Sequence, residues 1–336
     1  MKDIIVVSLN PAIDRNYTVS EFIPGRLFRC ENPVISPGGK GVNVARIISE
    51  LGGNVTLTGF FAGNNGQFIV DSLIQSKVNV LPVYIQGETR NSINIIDNIS
   101  CMETEILEKG PTVLQRDLKS LKSILSGIIE KSDSKKIIIF SGGIPEGVSD
   151  NIYYELISNS NSKGAICFLD SSAQALINGT DAKPFFVKPN LREFIQIVRH
   201  VESDREIQWI DRINYDNITN PANIRKIYEF SKELKINNLV ITLSEKGALL
   251  VTEQKVLYMN PPQISPVNTI GSGDSFTAGF AYALASGFSM ENCLKTAGAC
   301  GASNALFEQV GVIDKEMVDK FIKNIEIEEK TVITDE

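Results

Sequence analysis

Apolar and polar residues follow two rhythms along these 336 residues. Short continuous β-rich runs at 4–9, 56–61, 137–141, 165–170, 185–188, 239–243 and 248–252, mostly apolar, read as strands buried on both faces. Helical spacing fills the intervals at 41–51, 66–75, 117–131, 149–158, 222–234, 275–286 and 289–305. This alternation predicts an α/β domain over 1–330 with a mostly parallel sheet flanked by helices, and ligands beyond the carboxyl ends of the strands. Two stretches depart from it. Residues 17–37 and 81–111 alternate apolar with polar, which predicts a small half-exposed β-layer inserted at about 12–37 and 81–111 as a lid. The charge-rich stretch 325–336 is expected to fray, with 331–336 as a tail outside the domain.

Composition narrows the function classes. Hydrophobic content of 43% and charged content of 22% are those of an ordinary globule. A net charge of −7 argues against general nucleic-acid or acidic-membrane binding. No apolar run approaches the ~18 residues of a membrane span, and the first apolar segment is too short for a signal peptide, so a cytoplasmic protein is expected. Cys30, Cys101, Cys167, Cys293 and Cys300 are scattered without a C-x-x-C pair, which suits reduced thiols and gives neither a disulfide framework nor a zinc site. His200 is the single histidine, which argues against His-rich metal chemistry and a Ser-His-Asp triad.

Four polar loops follow strands. In Asn268-Thr-Ile-Gly-Ser-Gly-Asp-Ser275 a Gly-Ser-Gly turn meets an acid at the start of a helix. Free amides there, with the positive end of the helix dipole, suit a phosphate or developing negative charge. Asp274 is then either a helix N-cap or a base that takes a proton from a hydroxyl while Gly271, Ser272 and Gly273 hold the transferring group. Pro37-Gly-Gly-Lys-Gly-Val-Asn43 is a second glycine turn feeding a helix, without P-loop spacing; it reads either as a binding loop whose Lys40 and Asn43 face a polar ligand or as a turn with a helix cap. Leu9-Asn-Pro-Ala-Ile-Asp14 places an acid after the first strand, where it can accept from sugar hydroxyls. Lys188-Pro-Asn-Leu-Arg-Glu193 reads either as a capping box between Asn190 and Glu193 or as part of a site.

Taken together these loops resemble the ribokinase-like (PfkB) family of sugar kinases over nearly the whole chain. Gly38-Gly-Lys-Gly-Val-Asn43 and Asn268–Ser275 look like its two signatures. Gly87-Glu-Thr-Arg-Asn-Ser-Ile-Asn94 and Glu103-Thr-Glu-Ile-Leu-Glu-Lys-Gly-Pro111 look like its phosphosugar-kinase branch. The resemblance implies a ribokinase-like three-layer α/β fold with a small β-sheet lid, and ATP and Mg²⁺ as co-substrate and metal; the apolar face of such a lid needs cover, so a homodimer joined through the lids is expected. It implies Asp274 as base, with Gly271, Ser272 and Gly273 as the anion hole. Asp14, Gly38, Gly39 and Asn43 would hold the sugar. Lys40 and Arg90 would hold the phosphate already present, with Arg29 reaching in from a neighbouring subunit. Asn190 and Glu193 would organise magnesium through water, and Lys188, Ser244 and Gly247 would line the nucleotide. Fructose 1-phosphate is the first acceptor implied, then tagatose 6-phosphate, then fructose 6-phosphate. A kinase for an unphosphorylated sugar or nucleoside and a non-catalytic sugar-phosphate sensor are the rivals. Three departures stand out: Gly143 replaces a usual serine, Glu245 a frequent glycine, and 202–217 adds about ten residues with no evident role.

Overall fold

Ile4–Ser8 (β1) carries four apolar residues in succession, is buried throughout, and lies inside a ten-stranded sheet. The computed structural model describes residues 1–100, 102–131, 135–202 and 209–332. The remaining strands are β2 (Ala12–Val19), β3 (Val34–Gly38), β4 (Val55–Ala62), β5 (Asn79–Ile85), β6 (Arg90–Asp97), β7 (Glu103–Leu107), β8 (Ile137–Ser141), β9 (Ile166–Asp170), β10 (Phe186–Val187), β11 (Asn238–Thr242), β12 (Ala248–Thr252), β13 (Val256–Asn260) and β14 (Glu326–Lys330). The helices are α1 (Lys40–Glu50), α2 (Gly63–Gln75), α3 (Gln115–Glu130), α4 (Ile152–Ser162), α5 (Ala173–Thr180), α6 (Leu191–Val201), α7 (Pro221–Leu234), α8 (Ser272–Ala285), α9 (Met290–Asn304) and α10 (Lys315–Asn324).

The large sheet runs β14-β13-β12-β11-β10-β9-β8-β1-β4-β5. Strands from β5 to β11 are parallel, and β12 to β14 extend the sheet antiparallel. Side-chain alternation divides the interior in two. Ile4 and Val6 of β1 pack with α1, α2, α8, α9 and α10, whereas Ile5 and Val7 pack with α3 to α7. This is the expected three-layer α/β arrangement. From β1 the chain builds outward to β4 and β5 on one side and later to β8 on the other. That reversal opens a crevice at the carboxyl ends of β1, β8 and β9.

The second sheet has the order β3-β2-β6-β7. Segment 79–85, which the alternation assigned to the lid from residue 81 onward, belongs to the large sheet instead. Seven residues of β5 pair in register with β4, and the small sheet takes up the chain only at Arg90. The stretch expected to fray holds β14, paired with β13 over five residues; its charges are those of an exposed edge strand. Residues 333–336 of the expected tail lie outside the described residues, as do Cys101 and 203–208 of the extra segment. Two further helices were not legible: α5 has only eight residues, and α10 buries only Val318.

Register sorts the small sheet's faces. Ser36, Asp14 and Ser92 are mutual partners across β3, β2 and β6, and Asn16 opposite Asn94 shares their face. Asn16 Nδ2 donates to the Glu308 carbonyl at 3.2 Å, so this polar face turns toward the large domain. The adjacent row, Ile35, Arg15, Ile93 and Ile106, forms the other face.

Candidate active site

α1 and α8 bring two glycine turns together. Gly271 caps α8 with φ of 79°, a left-handed conformation that glycine adopts without penalty, and α8 begins at Ser272. Asp274 therefore lies in the first turn, 6% exposed, and its Oδ2 accepts from Asn43 Nδ2 at 2.9 Å. It is not an N-cap, since Gly271 occupies that position. Burial raises the Asp274 carboxyl above its ordinary range, and Asp170 adds to this, while Lys40, Asn43 and Lys188 act against it. Of the three amides expected to face an anion, that of Ser272 donates to the Thr269 carbonyl at 3.2 Å, so it is partly engaged. A Cβ on Gly273 would lie 3.4 Å from Lys188 Nζ, which puts that cation against the helix start.

Asp170, at the carboxyl end of β9, is the residue the sequence reading missed. It is fully buried and accepts from Lys40 Nζ at 3.3 Å, Lys188 Nζ at 3.1 Å and Thr277 Oγ1 at 2.7 Å. Burial alone would raise its carboxyl, but Lys188 and Lys40 hold it below the ordinary value. For Lys40, burial acts downward, and Asp170, Asp274 and Glu193 more than offset it, so the ammonium is held charged. Two ammoniums on one carboxylate leave net positive charge. The signal that could have found Asp170 is the one that marked Asp14, an acid ending an apolar strand.

On the opposite side stands Asp14, 8% exposed. A Cβ on Gly38 would collide with its carboxylate, so only glycine permits this approach of β3 to β2. Gly39, with φ of 86°, turns the chain into α1 against Pro11. Burial first, then Asp274, pushes the Asp14 carboxyl up to about 7, against the opposing pull of Arg90 and Arg46. Arg90 donates to the Asn10 carbonyl at 3.4 Å. Arg29 is exposed between β2 and β3, and no hydrogen bond or ion pair joins it to these groups.

Asn190 and Glu193 form the reciprocal capping box, each accepting from the other's amide at 2.9 Å. Glu193 is half-exposed and retains lone pairs beyond that bond. Among the described residues no group of three or more metal-ligating side chains exists. Asn190 bridges to Thr242 of β11, which leads into the turn with Ser244 at φ 54° and Gly247 at φ 92°. Asn10 Oδ1, Asn43 Oδ1, Ser141 Oγ and Ser272 Oγ are buried without a hydrogen-bond partner. Buried polar atoms normally have partners, so these orphans are candidates to meet a polar ligand.

Comparison with known proteins identifies the family. The profile described as pfkB family carbohydrate kinase matches residues 1–313. The chain is 32% identical over 329 residues to a tagatose-6-phosphate kinase of Staphylococcus epidermidis, covering 96% of this chain and 99% of the relative. It is 27% identical to a 1-phosphofructokinase of Vibrio cholerae, covering 97% and 96%. Among solved structures, phosphofructokinase-2 from Escherichia coli superposes with a TM-score of 0.84 at 27% identity, over 96% of this chain and 99% of that one.

Proposed function

The chain belongs to the pfkB family of carbohydrate kinases and is a phosphosugar kinase, and from that premise we propose that it transfers the terminal phosphoryl group of ATP to a ketohexose monophosphate, giving a bisphosphate. The observation that carries this is the placement of Asp274: a buried carboxylate in the first turn of α8, held by Asn43 and flanked by the Lys40–Asp170–Lys188 cluster. Its raised proton affinity suits a base that accepts the acceptor hydroxyl's proton as the bond to phosphorus forms. The amides at 271–273 and Lys188 offset charge on the moving group, and Asp170 keeps both lysines in place. Asp14 and Asn43 accept from and donate to sugar hydroxyls. Arg90 and Lys40 neutralise the phosphate already on the sugar, beyond the partners they have in the chain, Asp170 for Lys40 and the Asn10 carbonyl for Arg90. Asn190 and Glu193 fit the water shell of magnesium, which supplies charge neutralisation between the phosphate groups when bound. Ser244 and Gly247 border the nucleotide.

Fructose 1-phosphate is the proposed acceptor. Tagatose 6-phosphate is the second reading, favoured by the 32% identity to a kinase of that name. A coupled assay of ADP release with ATP and magnesium, run on both sugars, fructose 6-phosphate and free fructose, tests the reading. One phosphosugar should be turned over far faster than fructose, and Asp274→Ala should lower kcat by about 10²–10⁴ while the sugar still binds. Turnover of free fructose alone would remove Arg90 and Lys40 from the phosphate site.

The proposed assembly is a homodimer through the small sheets. The face carrying Ile35, Ile93 and Ile106 around Arg15 is mostly apolar and open, with Ile35 44% and Ile106 51% exposed. A second copy of the same face is the simplest cover. It would also bring Arg29 of one lid toward the other subunit.

A further inference from the structure

The proposed reaction sets Arg90 against the phosphate of the sugar, yet the bonds its side chain makes within the chain are long. The guanidinium donates to the Asn10 carbonyl at 3.4 Å and to the Glu108 carbonyl at 3.5 Å. Bonds of that length fix a flexible side chain weakly. The backbone beneath it is fixed far better, by residues with no part in the chemistry. The large sheet ends at Ile85 of β5 and the small sheet begins at Arg90 of β6, so residues 86–89 carry the chain across. Thr89 is buried and tied to the start of α2. Its amide donates to the Ala62 carbonyl at 2.9 Å, its Oγ1 accepts from the Ala62 amide at 2.9 Å, and its carbonyl accepts from Asn65 Nδ2 at 2.7 Å. Beside it the Glu88 carboxylate accepts from the amides of Asn64 and Asn65 at 3.3 and 2.5 Å. α2 itself is rooted in the first core through Ile69, Val70 and Leu73. On the far side of Arg90, the Asn91 amide donates to Glu108 Oε2 at 2.7 Å. Both peptides that flank Arg90 are therefore held.

We propose that Thr89, with Asn65 opposite it, is a positioning residue: it fixes Arg90 relative to Asp274 and so sets the span between the phosphate and the reacting hydroxyl of the acceptor. The inference rests on the kinase reading given above. Arg90 opposes Ala12 in the small sheet, whereas Asp274 belongs to α8 of the large domain. An acceptor that touches both must match their separation. In fructose 1-phosphate and tagatose 6-phosphate the phosphate and the accepting hydroxyl lie at opposite ends of the carbon chain, so that span is a property of the sugar. A charged fork on a loose strand would have to be ordered at each binding event, whereas neighbours locked by hydrogen bonds hold it in place beforehand. Helix capping is the simpler role, and it accounts for Glu88: Ala62 at the N-cap of α2 has no side-chain cap, and the carboxylate supplies the acceptor. Capping does not account for Asn65, whose amide group reaches back from the helix to the Thr89 carbonyl, in the peptide that carries the Arg90 amide.

The test combines steady-state kinetics of the full chain, with ATP and magnesium, and calorimetric titration with fructose 1-phosphate and tagatose 6-phosphate. Thr89→Val keeps the side chain's shape and removes its hydroxyl, and Asn65→Ala removes the bond to the Thr89 carbonyl without altering the buried residue. Each should raise KM for the preferred phosphosugar about 3- to 30-fold and leave KM for ATP within about twofold of wild type. Thr89→Ser, which keeps the hydroxyl, should restore the phosphosugar KM. In an Arg90→Ala background Thr89→Val should add almost nothing, since the residue it positions is gone. A role confined to stability would lower Tm and leave the phosphosugar KM where it was. Unchanged phosphosugar KM and affinity in Thr89→Val and Asn65→Ala would overturn the proposal, as would an equal further rise of KM in the Arg90→Ala background. If Thr89→Val does not fold, Asn65→Ala carries the same comparison. A wild type that binds a phosphosugar without turning it over would overturn the reading of function, and the affinities of the variants would still decide the role of Thr89. A wild type that binds neither phosphosugar would overturn both.

Discussion

Asp14 illustrates at the scale of one residue how the site is held at a cost to stability. Its carboxyl stands near 7 in the folded chain against 3.8 ordinarily, mainly because it is buried and secondarily because Asp274 faces it. The folded state therefore binds that proton more tightly than the unfolded chain does. The associated stability is full below about pH 4 and is lost as the pH rises through 7. Asparagine imitates the neutral form, so Asp14→Asn should be more stable than wild type at pH 8 and lose that advantage toward pH 4. Urea unfolding at both values checks this; parallel pH profiles would show that Asp14 is not the group responsible. The same variant should bind phosphosugar more weakly, because an amide cannot replace a full carboxylate acceptor. The opposite case is Asp170, whose two lysines hold it ionised.

The start of α8 shows why an element's first residue matters as much as its length. Gly271 is left-handed, and a Cβ there would meet Val310 Cγ1 at 2.5 Å. Gly271→Ala should cost about 1–2 kcal/mol from the backbone alone and lower Tm by a few degrees. It should also lower kcat, since moving the turn moves the amides ahead of Asp274. Gly143 is the control: a Cβ there meets nothing within 4 Å, so Gly143→Ala should leave Tm unchanged. Differential scanning calorimetry of the pair separates strain from mere loss of glycine. Element boundaries were legible where periodicity was strong, as in α1, but α8 begins at Ser272, three residues ahead of its expected start, because the Gly-Ser-Gly turn carries no apolar signal. They were not where the surface decides, as in α10, β5 and β14. An edge strand such as β14 keeps its charges outward and so carries no apolar run to read.

For the whole molecule the open question of cover falls on the small sheet. Its row of Ile35, Ile93 and Ile106 continues no core of its own chain. Ile106→Glu should convert a dimer to a monomer at micromolar concentration in light scattering, with the large domain's Tm little changed. A wild type that is already monomeric would remove the lid pairing.

The sequence by itself determined the α/β class, the glycine turns at 38–43 and 271–273, and the carboxylate at 274. Each is encoded locally, in a strand's apolar run, a missing Cβ or an acid at a helix start. Only the tertiary structure decided that Lys40 and Lys188 share Asp170, that Gly38 is shaped around Asp14, and that Asp216 meets Lys246. These pairs lie 130, 18, 24 and 30 residues apart in the chain. No local pattern records such a pairing, because burial and charge are set by which strands lie side by side.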